Sequence, residues 1–144
     1  VYGEGEFFKD KTASMVLQFG LQMLSGQRPR LFVGSDKICR DFVYVKDIVN
    51  ANLAALEAKC GVYNVGSFEA RSFTDIVDIL QKELKTKFEY EFIPNPFVKA
   101  YQFHTQAGKN DEKCFSYAPK FSLESGIKSY VPEIKRIFEK EVNA

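Results

Sequence analysis

The sequence predicts an α/β fold in which short strands are separated by several helices. Apolar residues recur at helical spacing in four segments, and short runs of β-branched and aromatic residues lie between them. The chain has 144 residues, enough for one domain with a real core, and 45% of them are hydrophobic. The strands are too short and too dispersed to form one large sheet. We therefore expect a single α/β unit over residues 1–144.

The first third of the chain predicts a loop, a helix and a strand. Residues 1–11 are polar and contain glycine, which is typical of a loop. A helix is expected from Thr12, as its N-cap, to Gly26, where glycine ends it. A proline-marked turn at 27–30 then leads to a short strand at 31–33. The apolar face of the expected helix contains Met15, Val16, Phe19 and Met23.

A second strand and helix are predicted around the sequence Arg-Asp-Phe-Val-Tyr-Val-Lys-Asp. Residues 42–45 are β-branched or aromatic and predict a short buried strand. Asp47 is expected to cap a helix over 48–59, and residues 62–66 predict another strand. The helix is expected to turn its larger apolar residues inward, namely Val49, Leu53 and Leu56.

The second half predicts two further helices. Ser72 and Asp75 have the spacing of a capping box, so a helix is expected from there to about Thr86. Residues 88–93 alternate as a strand does. A final helix is predicted near the C-terminus, with Pro132 kinking it or beginning a new one. Its apolar positions are Ile127, Val131, Ile134 and Phe138.

Composition excludes several classes of protein. Lys and Arg number 20 and Asp and Glu 19, a formal charge of +1, which gives no electrostatic basis for binding nucleic acid or an anionic membrane. No apolar run approaches the ~18 residues of a membrane span, and no signal-like segment opens the chain. Cys39, Cys60 and Cys114 are odd in number and form no CxxC pair. We expect reduced thiols in a cytoplasmic protein and no metal site.

Few residues indicate chemistry by themselves. The sequence has no HExxH, GxSxG, Walker or GxGxxG motif. Arg40 at the mouth of a strand fits either a phosphate clamp or a surface ion pair. Gly34 would let a ligand approach the backbone or simply make a turn, and His104 fits a packed hydrogen-bonding role. Taken alone, these residues predict an α/β domain that binds an anionic small molecule.

Three motifs, in the same order, resemble the extended short-chain dehydrogenase/reductases that act on nucleotide sugars. Residues 40–47 resemble their Arg-Asp-aromatic signature. Residues 1–3, Val-Tyr-Gly, resemble the end of their Asn-Val-Tyr-Gly motif. Residues 62–66, Val-Tyr-Asn-Val-Gly, resemble their strand that ends in Asn-hydrophobic-Gly.

Other residues resemble one branch of that superfamily, the ADP-L-glycero-D-manno-heptose 6-epimerases. The resemblance rests on Lys9 with residues 12–16, on 31–35, and on Tyr-Gln-Phe-His-Thr-Gln-Ala at 101–107. That family is roughly twice as long, and the chain begins with no methionine. We therefore expect the substrate-binding C-terminal half of such a protein, with the NADP-binding Rossmann domain missing.

The resemblance implies roles for particular residues. Lys9 falls on the family's acid/base lysine beside the cofactor NADP, and Val1 falls on a cofactor contact. Arg40 falls on the arginine that reaches the substrate pyrophosphate. The implied substrate-binding residues are Lys11, Gln18, Phe32, Val33, Gly34, Ser35, Arg40 and Tyr101. Lys11 and Gln18 differ in type from the Ser and His usual at those positions.

The implied activity is the NADP-dependent conversion of ADP-D-glycero-D-manno-heptose to ADP-L-glycero-D-manno-heptose, for lipopolysaccharide core synthesis. The resemblance implies oxidation to a transient ketone and re-reduction on the opposite face. It also implies a homo-oligomer, often a pentamer. The 144-residue chain alone is expected to show no turnover. Two alternatives stay open: another nucleotide-sugar epimerase or dehydratase, and a non-catalytic module that binds sugar nucleotides.

Overall fold

A computed structural model describes residues 1–96 and 102–142. A 3₁₀ segment (Phe7–Thr12) precedes the first helix. The helices are α1 (Met15–Leu24), α2 (Val45–Ala55), α3 (Phe73–Leu84) and α4 (Leu123–Val142). The strands are β1 (Arg30–Phe32), β2 (Cys39–Asp41), β3 (Ala70–Ser72) and β4 (Glu91–Ile93). The predicted α/β class, with short strands and several helices, is confirmed.

The strands form two small sheets. β1 pairs with β4 in parallel, with Leu31 opposite Phe92. β2 pairs with β3 in the antiparallel sense, with Arg40 opposite Arg71. The expectation that these strands would not share one large sheet is confirmed.

The core lies where α1, α3 and α4 meet. Phe19, Leu80 and Ile134 each expose 1% or less of their surface. Gly20 brings α1 close to α4, since a Cβ there would lie 2.8 Å from Cγ2 of Ile134. This core holds the helix whose N-terminal half forms one wall of the site described below.

The first helix begins later than predicted. Its N-cap is Ser14, whose hydroxyl oxygen accepts a hydrogen bond from the backbone N–H of Leu17. Thr12 is not the cap, because its hydroxyl donates instead to the carbonyl of Lys9 at 2.6 Å. The predicted loop at 1–11 therefore contains the start of a 3₁₀ segment. Gly26 follows the helix end with φ +75°, as expected.

The strand predicted at 42–45 is wrong in position. The strand is β2 (Cys39–Asp41), three residues earlier, because its backbone finds a partner in β3. Tyr44 has only a single bridge, to Tyr2, and it is the N-cap residue of α2. Here a run of β-branched and aromatic residues corresponds to a partly buried segment that does not pair with another strand as a ladder.

The prediction for α2 is wrong in its cap and in its buried face. Asp47 lies in the first turn, 1% exposed, and accepts hydrogen bonds from the N–H groups of Lys120 (2.9 Å) and Phe121 (3.1 Å). These bonds turn the Asp47 side of the helix inward. The three residues expected to face inward are instead exposed: Val49 by 53%, Leu53 by 61% and Leu56 by 79%.

The remaining elements follow the predictions more closely, with three differences. The capping box of Ser72 and Asp75 is confirmed, and the missed strand β3 lies directly before it. Residues 62–66 form no strand in the structure. β4 covers only the end of the strand predicted at 88–93. α4 is one helix of 20 residues that runs through Pro132, so Pro132 does not begin a new helix.

Two further observations concern the described residues. Among them, no helix is both long enough and apolar enough to cross a membrane. Cys39, Cys60 and Cys114 are free thiols, as expected.

Candidate functional site

Within the part of the chain that the structure describes, two cavities are lined by residues predicted to bind a ligand. The β1 cavity, about 290 Å³, lies between α1, β1 and the start of α3. The N-terminal cavity, about 170 Å³, is lined by residues 1–6, Lys9 and Val45. We use these two names throughout.

The β1 cavity has apolar walls and a few polar groups. Rings from three elements line it, namely Phe19 of α1, Phe32 of β1 and Phe73 of α3. Gln18, Gln22, Arg30 and Ser35 supply the polar atoms of the lining. Apolar walls with a small number of placed polar groups are typical of a small-molecule site. Its volume is close to the lower limit for such sites, about 300 Å³.

A tight turn after β1 forms one rim of the β1 cavity. The N–H of Ser35 donates to the carbonyl of Phe32 at 3.0 Å, and the Ser35 hydroxyl donates to the same oxygen. Gly34, at φ +88°, occupies the position of this turn that favours glycine. The sequence Phe-Val-Gly-Ser thus fixes the backbone beside the cavity.

The N-terminal cavity is built where residues 1–6 approach the start of α2. Gly3 has φ +136°, and a Cβ there would lie 2.5 Å from Cγ1 of Val45, so glycine is required. The Tyr44 hydroxyl donates to the Glu4 carboxylate at 2.7 Å. Burial alone raises the pKa of Glu4, but this bond and the ion pair with Lys46 (3.3 Å) hold it below its ordinary value.

Glu6 joins the N-terminal cavity to α1. It is 3% exposed, and its carboxylate accepts hydrogen bonds from the N–H of Ser14 at 2.8 Å and the Ser14 hydroxyl at 2.7 Å. The N–H of Gly3 also donates to it, at 3.3 Å. The hydrogen bonds between Glu6 and Ser14 therefore hold together the two ends of the segment that carries Lys9.

The buried side of Glu6 faces Tyr130 of α4. Burial raises the pKa of the Tyr130 phenol, and the negative charge of Glu6 raises it further. Tyr130 is fully buried and stays protonated. The carboxylate that anchors the Lys9 segment is thus held against the helical core.

Gln18 links that segment to the β1 cavity. Its amide nitrogen Nε2 donates to the carbonyl oxygens of Ala13 (2.7 Å) and Lys11 (3.3 Å). The same side chain lines the β1 cavity. Gln18 therefore connects the end of the 3₁₀ segment, which carries Lys9, to the wall of the β1 cavity.

The structure groups half of the predicted site residues in the two cavities. Val1 and Lys9 line the N-terminal cavity, and Gln18, Phe32 and Ser35 line the β1 cavity. Lys11, Val33, Gly34 and Arg40 do not line either cavity. Tyr101 lies outside the described residues.

Arg40 and Asp41 end β2 with different surroundings. Arg40 is half-buried, and its Nη1 donates to the carbonyl of Cys39 at 2.8 Å. The Asp41 carboxylate accepts hydrogen bonds from the N–H groups of Ser67 (2.6 Å) and Ala107 (3.0 Å). Asp41 is therefore a structural acceptor that binds two loops to β2, a role that was not predicted from the sequence.

Gln22 and Phe73 also line the β1 cavity, and neither was predicted as a site residue. Gln22 lies four residues after Gln18, and this spacing puts both amides on one face of α1. Its oxygen Oε1 accepts the N–H of Arg30 at 3.1 Å. The i, i+4 spacing could have indicated Gln22, whereas Phe73 reaches the cavity through tertiary packing alone. The described residues contain no group of histidine, cysteine or acidic side chains able to hold a metal ion.

The chain is similar to several nucleotide-sugar epimerases. Residues 1–66 match the model of the NAD dependent epimerase/dehydratase family. The structure of Helicobacter pylori ADP-L-glycero-D-manno-heptose-6-epimerase is 44% identical, with a TM-score of 0.83, over 93% of this chain and 41% of that one.

Two solved structures of lower sequence identity are similar over most of the chain. UDP-glucose 4-epimerase from Thermotoga maritima, solved with UDP-glucose, is 29% identical with a TM-score of 0.75, over 90% of this chain and 40% of its own. UDP-glucuronic acid 4-epimerase from Bacillus cereus, solved with UDP-glucuronic acid and NAD, is 27% identical with a TM-score of 0.75, over 86% and 40%. This chain thus spans about two fifths of these proteins. The resemblance to nucleotide-sugar epimerases predicted from the sequence is confirmed.

Proposed function

We propose that this chain is the substrate-binding part of an NADP-dependent epimerase that converts ADP-D-glycero-D-manno-heptose to ADP-L-glycero-D-manno-heptose. The similarity to the Helicobacter pylori enzyme, 44% identity over 93% of the chain, carries this proposal. In the same proposal the product serves lipopolysaccharide core synthesis, and the whole protein works in the cytoplasm as a homo-oligomer, a pentamer in the family's usual form.

The N-terminal cavity fits one wall of a dinucleotide site. Its volume, about 170 Å³, is well below that of a complete cofactor pocket. Val1 and Lys9 line it and would contact NADP from this side, while another part of the full-length protein would supply the remaining walls. When bound, NADP supplies the redox chemistry that gives a transient ketone and reduces it on the opposite face. Relatives solved with NAD support a nicotinamide cofactor.

Lys9 is proposed as an acid/base for the hydroxyl of the carbon that is inverted. That carbon has no acidic hydrogen, so its hydroxyl proton must be removed and returned during a redox cycle. An ammonium group held beside the cofactor can return this proton, and its neutral amine can accept it. The bonds of Glu6 and Ser14 hold the Lys9 segment on α1, which fixes where the amine can reach.

The β1 cavity and its surroundings are proposed to hold the nucleotide end of the substrate. Its rings suit a base, and the turn at Phe32, Val33, Gly34 and Ser35 brings backbone beside it. Arg40 follows this turn in the chain, and a guanidinium matches pyrophosphate oxygens two at a time. Tyr101 and Lys11 are proposed as further substrate contacts.

The full-length protein provides the test of this function. Loaded with NADP and supplied with ADP-D-glycero-D-manno-heptose, it is expected to form the L-glycero epimer, detected by NMR of the sugar protons. A folded, NADP-loaded protein that forms no epimer would disprove the proposal. The 144-residue chain alone is expected to show no turnover.

Lys9→Ala separates catalysis from binding. In the full-length protein we expect kcat to fall by about 10²–10⁴-fold, because an acid/base is lost, while substrate affinity changes little. Lys82→Ala, at an exposed position of α3, is the matched control and should leave the rate unchanged. A normal rate for Lys9→Ala would show that the acid/base lies elsewhere.

Arg40→Ala tests the pyrophosphate contact. Losing a charged hydrogen bond should weaken substrate binding by about 1.5–3 kcal/mol, roughly 10–100-fold in Kd, as measured by calorimetry. Arg136→Ala, at an exposed position of α4, is the control. Unchanged affinity would assign Arg40 to the surface ion-pair role.

A second candidate is another nucleotide-sugar epimerase or dehydratase. The similarity to the Thermotoga maritima UDP-glucose 4-epimerase, at 29% identity, favours it. Tighter binding of UDP- or dTDP-sugars than of ADP-sugars by the full-length protein would support this candidate. Binding of sugar nucleotides without turnover would instead identify a non-catalytic module.

A further inference from the structure

Asp10 has a backbone conformation that is unusual for a residue with a side chain. Its φ is +46° and its ψ is −123°, close to the first central position of a type II′ turn. Glycine dominates that position, because a Cβ there crowds the backbone. Lys85 also has a positive φ, +58°, but it is the C-cap of α3, where this is an ordinary way to end a helix. Asp10 lies inside the 3₁₀ segment, so a helix end does not explain its conformation.

Hydrogen bonds on both sides hold Asp10 in this conformation. The Asp10 carbonyl accepts the N–H of Ala13 at 3.0 Å, and the Lys9 carbonyl accepts the Thr12 hydroxyl at 2.6 Å. A residue kept in a sparsely populated region of φ and ψ costs free energy, and such residues cluster at ligand-binding sites. Glycine would make the same turn at a lower cost. The aspartate side chain must therefore supply something that the turn itself does not need.

The carboxylate of Asp10 is exposed and has no partner in the described part of the chain. It forms no hydrogen bond there and no ion pair with either flanking lysine. The other two acids of this N-terminal segment are engaged within the molecule. Glu4 accepts the Tyr44 hydroxyl at 2.7 Å, and Glu6 accepts the Ser14 hydroxyl at 2.7 Å. Asp10 thus differs from them, because its oxygens are free to accept hydrogen bonds from a ligand.

Asp10 lies in the chain between residues that belong to the two cavities. Lys9, the residue before it, lines the N-terminal cavity. The carbonyl of Lys11, the residue after it, accepts a hydrogen bond from Gln18, which lines the β1 cavity. In the proposed function the cofactor lies at the first cavity and the nucleotide at the second. The sugar, which connects the nucleotide to the reacting carbon, then passes the segment 9–11.

The charge of Asp10 indicates which part of a sugar nucleotide it can bind. An ionised carboxylate only accepts hydrogen bonds, and it repels the phosphate oxygens of the substrate and of NADP. Sugar hydroxyls are neutral donors, and two neighbouring hydroxyls can bond to the two oxygens of one carboxylate. Hydrogen bonds from O–H to an ionised oxygen are about twice as strong as those between neutral groups. The sugar is therefore the part of the substrate that suits Asp10.

We propose that Asp10 binds hydroxyl groups of the substrate sugar and so distinguishes a sugar nucleotide from the bare nucleoside diphosphate. Asp10 directly follows Lys9, so the hydroxyls that it binds are held near the proposed acid/base. The strain of the turn keeps the carboxylate at this place in the chain. This inference rests on the proposed function for the position of the sugar.

Asp10→Gly in the NADP-loaded, full-length protein provides the first test. Glycine favours the turn, so the substitution removes the carboxylate and keeps the backbone. By calorimetry, the Kd for ADP-D-glycero-D-manno-heptose should rise about 10–100-fold, as for a lost charged hydrogen bond, while the Kd for ADP changes by less than about twofold. An unchanged Kd for the ADP-heptose would overturn the proposal. Equal weakening of both ligands would also overturn it, because Asp10 would then act only on the segment that it belongs to.

Lys85→Gly is the matched control, because it also replaces a residue at positive φ by glycine. Each variant should raise the Tm of the full-length protein by about 1–3 °C, since glycine relieves the backbone. Only Asp10→Gly should weaken binding of the ADP-heptose. A lower Tm for Asp10→Gly would show that the carboxylate supports the fold, and it would overturn the proposal. An equal loss of ADP-heptose affinity in Lys85→Gly would do the same.

The result for Asp10 is separate from the result for the proposed reaction. A native protein that binds the ADP-heptose and forms no epimer would disprove the reaction, and the Asp10→Gly affinities would still decide the role of Asp10. If UDP-sugars bind more tightly than ADP-sugars, the same comparison is made with UDP-glucose and UDP. Normal epimer formation and normal sugar-nucleotide affinity in Asp10→Gly would leave the reaction standing and overturn the role proposed for Asp10.

Discussion

Helices α2 and α3 have similar sequence patterns and opposite surroundings. α3 buries Ile76, Val77 and Leu80 completely against α1 and α4. α2, with apolar residues at equivalent spacing, leaves Val49 and Leu53 exposed. Helical periodicity identifies an apolar face, but whether that face is covered depends on which other elements reach it.

The two helices also begin differently. α3 starts with a complete capping box, in which Ser72 and Asp75 each bond the other's backbone. α2 starts at Tyr44 with no side-chain cap, and its early carboxylate, Asp47, binds the approach to α4 instead. The polar groups of α3 therefore support the helix itself, whereas Asp47 sets the direction in which α2 faces.

Truncating one leucine on each helix should give the largest contrast. Leu80→Ala should lower the free energy of unfolding by about 2–5 kcal/mol, because it leaves a cavity in the core. Leu53→Ala in the 144-residue chain should change it by less than about 0.5 kcal/mol, since the side chain is mostly exposed. Urea unfolding followed by circular dichroism measures both. Equal losses would mean that α2 packs differently from the arrangement seen here.

Asp47 provides the next largest effect. Asp47→Ala should lower the free energy of unfolding by about 1.5–3 kcal/mol, because two backbone N–H groups lose a charged acceptor. Faster amide exchange at Lys120 and Phe121 would identify those bonds as the cause. Asp36→Ala, at an exposed position in the turn after β1, is the control. A loss below about 0.5 kcal/mol would show that Asp47 does not fix the face of α2.

The fold was predictable where local pattern and packing agree. The capping box at Ser72, the apolar face of α3 and the glycine stop at Gly26 all follow from short-range rules. The prediction of a strand at 42–45 was wrong in position because strand pairing depends on a distant partner, residues 70–72. No local pattern reveals that partner. The prediction of which face of α2 lies inward was wrong because Asp47, a polar residue, determines the buried side.

Some residues of the candidate site could likewise be predicted from the sequence and others could not. Lys9, Phe32 and Arg40 could be singled out from motifs, and the resemblance gave them roles that stay predictions. Glu6 could not, because nothing in the sequence indicates that this one acid, among 19 acidic residues, is 3% exposed and bonded to Ser14. Its role depends on α4 covering it, which is a property of the tertiary structure.

The smallest expected effect is a pH dependence that belongs to α3. Burial alone raises the pKa of Asp75, but hydrogen bonds from Ser72 and the ion pair with Arg71 at 3.2 Å outweigh it and lower the pKa below its ordinary value. A carboxylate whose pKa is lowered in the folded state adds stability that is complete above its unfolded pKa, about 3.9, and is lost as the pH falls through the folded value. Because its side chain is 38% exposed, we expect less than about 1 kcal/mol.

Asp75→Asn tests this by removing the titrating group. The variant should be less stable than the native chain at pH 7, and the difference should shrink as the pH falls from about 5 towards 2, as measured by urea unfolding across that range. Asp36→Asn is the control, at an exposed position. A difference in the free energy of unfolding that stays constant with pH would show that the charge of Asp75 does not stabilise α3. The starts of α2 and α3 would then differ in hydrogen bonding but not in electrostatic stabilisation.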